Sequence, residues 1–216
     1  PICHVFHNGK FINEDNNLYS WIKRKKNKQY AVSWLLNPIE KENRKIRYPS
    51  VEYMKNVTDI LFTYDQFQAE KYDTKMLRLC YGRLTKVYKI KNFKYDVFFC
   101  GYAKDRLHNL VLINEHLRKN NINTIFLIAG VKKNNRIFME GIKYIEKISY
   151  MEYLKYLKIS RAILDILQSG EINPSIRAFE ASFYKRKLLT NVYKINKYSY
   201  INKKETIYFD NIESID

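Results

Sequence analysis

Two short stretches hold residue types suited to a diphosphate. The first, Gly101-Tyr102-Ala103-Lys104-Asp105-Arg106, follows an apolar run and opens a helical pattern. A glycine there permits a tight turn, and a helix start offers free N–H groups and partial positive charge to an anion. Lys104 would add a point charge and Arg106 a forked donor, chemistry that matches phosphate oxygens. The plainer reading makes both solvated residues of a helix start in a lysine-rich chain. The second stretch, Gln168–Glu180 (QSGEINPSIRAFE), sets a loop with a Gly and a Pro before a helix carrying Ser175, Arg177 and Glu180. A carboxylate on such a helix can accept from the two hydroxyls of a ribose. Alternatively, Glu180 is a helix-surface residue paired with Arg177 at i, i+3. Neither G-x-G-x-x-G nor G-x-x-x-x-G-K-[ST] occurs in the chain.

The elements that must position these stretches read as strand alternating with helix. Tyr95–Cys100 (YDVFFC), Asn123–Ala129 (NTIFLIA, ended by Gly130), Arg161–Leu167 (RAILDIL) and Lys187–Thr190 are near-continuous apolar strands; Ile142–Ile145 and Thr206–Phe209 are shorter ones. Asp105–Asn120 has apolar residues at helical spacing. Ser149 with Glu152 forms a capping box for a helix to about Ser160, and Ser175–Tyr184 is a third helix. Strands apolar on both faces, joined by helices, predict a parallel, doubly wound α/β lobe with ligands beyond the carboxyl ends of its strands. Upstream, Tyr30–Leu35 reads as a strand stopped by Asn37-Pro38, and Asp59–Thr63 as another. An Asp65/Gln68 capping box opens a helix over Gln66–Tyr72. The charged stretch from Tyr81 to Lys94 breaks both periodicities. The expected organisation is a partial α/β lobe at 1–85, a linker at 86–94 and a second lobe at 95–216.

Composition narrows the classes of function. In 216 residues, 46% hydrophobic and 15% aromatic content excludes a disordered chain, and 39 Lys+Arg against 22 Asp+Glu give a formal charge of +17. That excess, with 19 Tyr and the basic run at 23–28, permits a nucleic-acid-binding protein. Against this, most tyrosines fall within apolar strands and helix faces, and Lys and Asn are abundant throughout. The basic run also suits a helix end. Cys3, Cys80 and Cys100 stand far apart, no histidine, cysteine or D-x-D spacing suits a metal, and no apolar run approaches the ~20 residues of a membrane span. A reducing, cytoplasmic setting is expected. The start at Pro1 suggests that an N-terminal portion precedes it.

Taken together, the stretches Tyr95–Leu107, Ile125–Gly130, Lys143–Gly170 and Ser175–Asn191, with Trp34–Pro38 and Asp59–Tyr72 upstream, resemble a GT-B glycosyltransferase. The resemblance is to enzymes of bacterial lipopolysaccharide and capsular polysaccharide assembly, and it extends from about Tyr30 to Phe209. It implies a Rossmann-like C-terminal lobe that binds a nucleotide-sugar through Gly101, Lys104, Arg106, Gly130, Gln168, Glu171, Ser175, Arg177 and Glu180. Lys104 and Arg106 would hold the diphosphate. Glu180 matches the second Glu of the family's E-x(7)-E pattern, the ribose ligand, whereas Glu171 stands nine residues before it instead of eight. The implied reaction is metal-independent and needs no cofactor: a sugar moves from a nucleotide-diphosphate donor to a growing glycan or lipid-linked acceptor. Cations and a helix dipole would stabilise the departing diphosphate. The implied location is cytoplasmic, at the inner face of the plasma membrane, with residues 23–28 as a contact for anionic lipid and no specific nucleic acid as partner. No catalytic base is assigned; His4 and His7 are the histidines of the first lobe, and both suit incidental surface positions. The shortness of that lobe leaves a non-catalytic relic as a further reading.

Overall fold

The computed structural model describes residues 2–7, 24, 29–35, 50–78, 82, 92–169 and 172–215. Glu171, the Asn37-Pro38 turn, residues 86–91 of the expected linker and the basic run other than Arg24 lie outside them. The chain divides into two compact units, Pro1–Cys80 and Tyr81–Asp216.

The first unit is a parallel sheet of four strands laid side by side in chain order: β1 (Ile2–His7), β2 (Gln29–Leu35), β3 (Ile60–Thr63) and β4 (Lys75–Met76). Helix α1 (Val51–Val57) starts where the Ser50 hydroxyl accepts from the Tyr53 N–H. Helix α2 (Gln66–Lys71) starts where the Asp65 carboxylate accepts from the Gln68 N–H, as the capping box predicts. Asp59 accepts from the Ala31 amide at 2.7 Å, which ties the approach to β3 onto β2. Leu35, Val51, Met54 and Leu61 make a small core. β1, β4 and α1 were not expected from the sequence. His4 and His7, expected at a ragged terminus, belong to β1, paired in register with Ala31 and Trp34.

The second unit carries β5 (Tyr95–Tyr102), α3 (Leu107–Lys119), β6 (Thr124–Ala129), β7 (Ile142–Ile145), α4 (Tyr150–Lys158), β8 (Ser160–Asp165), α5 (Ile176–Phe183), β9 (Lys187–Thr190) and β10 (Thr206–Tyr208). Its six strands are all parallel, in the order β10-β9-β8-β5-β6-β7. Alternation along each strand explains the winding. Val97, Phe99, Phe126, Ile128, Ala162, Leu164 and Leu189 meet Leu110, Ile113 and Leu117 of α3 on one face. Phe98, Ile125, Leu127, Ile163 and Leu188 meet Tyr153, Leu154 and Leu157 of α4, Ala178 and Ala181 of α5, and Tyr184 just after it on the other. With both faces covered, the strands must be apolar throughout, which is the pattern the sequence shows.

Three local readings are corrected. β5 continues two residues past Cys100, so Gly101 lies inside the strand and is not a turn. Helix α3 starts at Leu107, after a separate 3-10 turn at Lys104–Arg106. β8 ends at Asp165, two residues short of the expected Leu167.

Candidate functional site

The order of strands in the second unit reverses between β5 and β8, which are neighbours although β6 and β7 intervene in the chain. The crevice beyond the carboxyl ends of those two strands is where open α/β sheets take their ligands. The loop after β5 and the loop that leads from β8 into α5 both end there.

Arg177, on the first turn of α5, reaches back to β5. Its Nε and Nη2 donate to the Cys100 carbonyl at 3.2 and 2.8 Å, and its Nη1 donates to the Ser175 hydroxyl at 3.1 Å. Gly101 makes this possible, because a Cβ there would overlap Arg177 Nη2. Asp165, fully buried at the end of β8, accepts from the Ser175 amide at 3.0 Å and hydroxyl at 2.6 Å, and stands 3.6 Å from Arg177 Nη1. Ser175 in turn caps α5 by accepting from the Arg177 N–H. The N-terminus of α5 is thus fastened to the ends of both central strands.

Arg106 is turned inward, 4% exposed. Its Nη1 donates to the Ile166 carbonyl at 2.8 Å and its Nη2 to the Tyr102 carbonyl at 2.6 Å. It therefore braces the ends of β8 and β5 instead of facing solvent, where a diphosphate would be met. Lys104 keeps the outward position, exposed and held by a left-handed backbone (φ 49°). Asp105 accepts from the Ser169 amide at 2.8 Å, joining the first loop to the second. Gly130, at φ 74°, lies against the exposed Tyr102 ring, whose Cδ1 stands 2.7 Å from where a Cβ would be. Gln168 is buried in the second loop.

Glu180 lies on the same helix face as Arg177, three residues on, but it does not lie along the helix surface. It is 1% exposed and held by two tyrosines of α4: Tyr150 donates to Oε1 at 2.8 Å, and Tyr153 donates to Oε2. Burial pushes its pKa above the ordinary carboxylate value; the two phenol O–H groups and Arg177 oppose that shift without cancelling it. Burial also drives the Tyr153 phenol well up, and the Cys100 thiol beside them up to about 11. The two tyrosines differ in access. Tyr153 is interior, whereas Tyr150, stacked on it at 5.5 Å, is 36% exposed. Oε1 is therefore the Glu180 oxygen held by the more exposed of the two tyrosines.

No family model matches the sequence, and no curated protein matches it. Among solved structures, a mutant of S. aureus TarM, a GT-B glycosyltransferase, in complex with fondaparinux, alpha-GlcNAc-glycerol and UDP aligns with a TM-score of 0.57 at 14% identity. The alignment covers 86% of this chain and 42% of that one. The fold is GT-B-like. This chain spans less than half the length of that structure, so the likeness concerns architecture. Within the GT-B-like fold, Gly101, Arg106, Ser175 and Arg177 share one hydrogen-bonded or packed cluster at the β5–β8 crevice. Lys104 and Gly130 stand on its rim, and Glu180 lies behind it under α4. Asp165, Tyr150 and Tyr153 are the members that sequence reading missed. Asp165 was signalled by a lone carboxylate in the apolar run RAILDIL; the tyrosines were signalled by their i, i+3 spacing just inside the Ser149 cap. Among the described residues, no group of His, Cys, Asp or Glu could hold a metal ion, and no helix is long and apolar enough to cross a membrane.

Proposed function

We propose that the second unit binds the nucleoside-diphosphate part of a nucleotide-sugar at the β5–β8 crevice, as the donor side of a glycosyltransferase of cell-envelope glycan assembly. One observation carries the reading. Behind the switch point of a GT-B-like sheet, a buried carboxylate, Glu180, has Oε1 held by the half-exposed Tyr150 and Oε2 by the interior Tyr153. A ribose hydroxyl replacing the Tyr150 hydroxyl on Oε1 leaves the carboxylate satisfied, with Tyr153 still on Oε2. Lys104 supplies the outward cation for the diphosphate, and Arg177 a second cation pinned at the N-terminus of α5. Arg106, Asp165 and Ser175 hold the two strand ends at fixed spacing.

In the transfer step an acceptor hydroxyl attacks the anomeric carbon, gives up its proton to water, and the bond from that carbon to the diphosphate oxygen breaks. The nucleoside diphosphate departs with the bonding electrons, its charge met by Lys104, Arg177 and the helix dipole. The acceptor in this reading is a glycan or a lipid-linked sugar at the cytoplasmic face of a membrane. The test is calorimetric titration of the intact protein with UDP, GDP, CDP and ADP. Saturable binding to one of them, weakened roughly tenfold in Lys104→Ala, is expected. Absence of saturable binding to all four, or an affinity indifferent to Lys104, overturns the proposal.

A further inference from the structure

The connection from β6 to β7 contains the most exposed large hydrophobic side chain among the described residues. Phe138 is 82% exposed, and Ile137 beside it is 47% exposed. Neither is carried by a slack loop. Tyr144 of β7 donates through its hydroxyl to the Ile137 carbonyl and accepts from the Ile137 amide, each at 2.9 Å. Arg136 Nε donates to the Val131 carbonyl at 3.2 Å, and its guanidinium lies 5.3 Å over the Tyr144 ring. A 3-10 turn at Lys133–Asn135 completes the bracing. The phenyl ring touches Tyr144 edge to face, with centroids 6.0 Å apart, and presents the rest of its surface to solvent, an arrangement that is unfavourable unless something apolar receives it.

The surroundings indicate what receives it. Lys132 and Lys133 are exposed at the base of the loop, and Lys143 is exposed on β7, the edge strand of the sheet. The nearest carboxylate in sequence, Glu140, is ion-paired with Arg118. We propose that this loop is a membrane-contact finger: Phe138 and Ile137 enter the headgroup–acyl boundary of an anionic bilayer while Lys132, Lys133 and Lys143 meet lipid phosphates. Charge decides against the other occupants. A second copy docked symmetrically through this face would bring its lysines against the same lysines. A single-stranded nucleic acid would want a platform of several open rings, but the one ring beside Phe138, Tyr144, is partly buried, covered by Arg136 and tied through its hydroxyl to Ile137. The inference does not rest on donor binding.

The test is co-sedimentation of the full chain with mixed phosphatidylcholine–phosphatidylglycerol vesicles and with pure phosphatidylcholine vesicles. Binding to the mixed vesicles alone is expected. It should weaken about tenfold in Phe138→Ala and at least about twentyfold in the double variant Lys132→Glu/Lys133→Glu. Phe138→Trp should retain binding and report burial by a blue-shifted fluorescence that the lipid-free protein lacks. All three positions are exposed, so every variant should stay folded, with Phe138→Ala losing only its edge contact with Tyr144. The proposal is overturned by equal binding to both vesicles, by no binding, or by binding indifferent to Phe138. It is also overturned if Phe138→Ala abolishes a concentration-dependent dimer in sedimentation velocity, or if an oligonucleotide binds with the same dependence on Phe138 and displaces the vesicles. Nucleotide titration of Phe138→Ala keeps the two proposals separable, because the donor affinity should not change.

Discussion

If Glu180 is the ribose ligand, as proposed, Tyr150 occupies the place of an arriving hydroxyl, and removing its own hydroxyl should lower stability and raise nucleotide affinity together. In Tyr150→Phe the ring keeps its stack on Tyr153 at 5.5 Å, and only the 2.8 Å bond to Glu180 Oε1 is lost. A hydrogen bond to a charged group contributes about 1.5–3 kcal/mol. The half-exposed position of the ring puts this one at the lower end, since water can replace part of it. The expected loss of stability is therefore about 1.5 kcal/mol, measured by urea unfolding of the full chain. A ligand that must displace the hydroxyl is spared the same amount, so its affinity should rise roughly tenfold in the variant. Calorimetry with the nucleoside diphosphate that binds the wild type gives the second number. Tyr153→Phe is the control. Its hydroxyl is interior and is not displaced, so it should lose stability with no gain in affinity. If Tyr150→Phe loses affinity, or leaves it unchanged while stability falls, Glu180 is not the ribose ligand and the displacement argument fails.

The remaining predictions concern the same cluster. Because the native pKa of Glu180 is raised above its ordinary 4.5, its contribution to stability is full below that value and is lost as pH rises through the native one. Glu180→Gln should therefore gain on wild type in urea midpoints as pH rises above about 4.5, and a flat difference would contradict the burial argument. Asp165→Ala leaves Arg177 without its carboxylate and the Ser175 amide without its acceptor; a loss of about 3–5 kcal/mol is expected, with Asp165→Asn milder. The Cys100 thiol, held at about 11, should resist alkylation at pH 8 in the native protein. The exposed Cys3 should label under the same conditions, as followed by peptide mass spectrometry.

The two-faced winding of the second unit was legible because its inner strands are apolar on successive residues, so that neighbours along β5, β6 and β8 meet helices on opposite sides. The caps at Asp65 and Ser149 were legible because a hydroxyl or carboxylate before an apolar-periodic stretch leaves the chain few alternatives, whereas Ser175, read as a helix residue, is a cap that the sequence left unnoticed. The first unit was harder. β1 mixes Cys and His with apolar residues, and β4 is two residues long, so their pairing depends on neighbours and not on local pattern. In the candidate site, the types were readable and the directions were not. Arg106 and Lys104 are equally cationic in sequence. What turns one inward is the pair of carbonyls at Tyr102 and Ile166, 64 positions apart in the chain, which only the folded sheet brings together. The Gly101 signal was real but was assigned to a turn; its cause is the approach of the Arg177 guanidinium from 76 positions away.

Strand order also has a consequence for synthesis. β5 is made first in the second unit and yet lies in the middle of its sheet, with Tyr95 opposite Ser160 and Phe98 opposite Ile163. At about 5–20 residues per second, the partner edge of β5 stays open for several seconds while α3, β6, β7 and α4 emerge. During that interval the segment YDVFFC presents an unpaired apolar strand, the kind of edge on which chains associate wrongly. Vectorial folding of this unit is thus governed by how long β5 waits for β8.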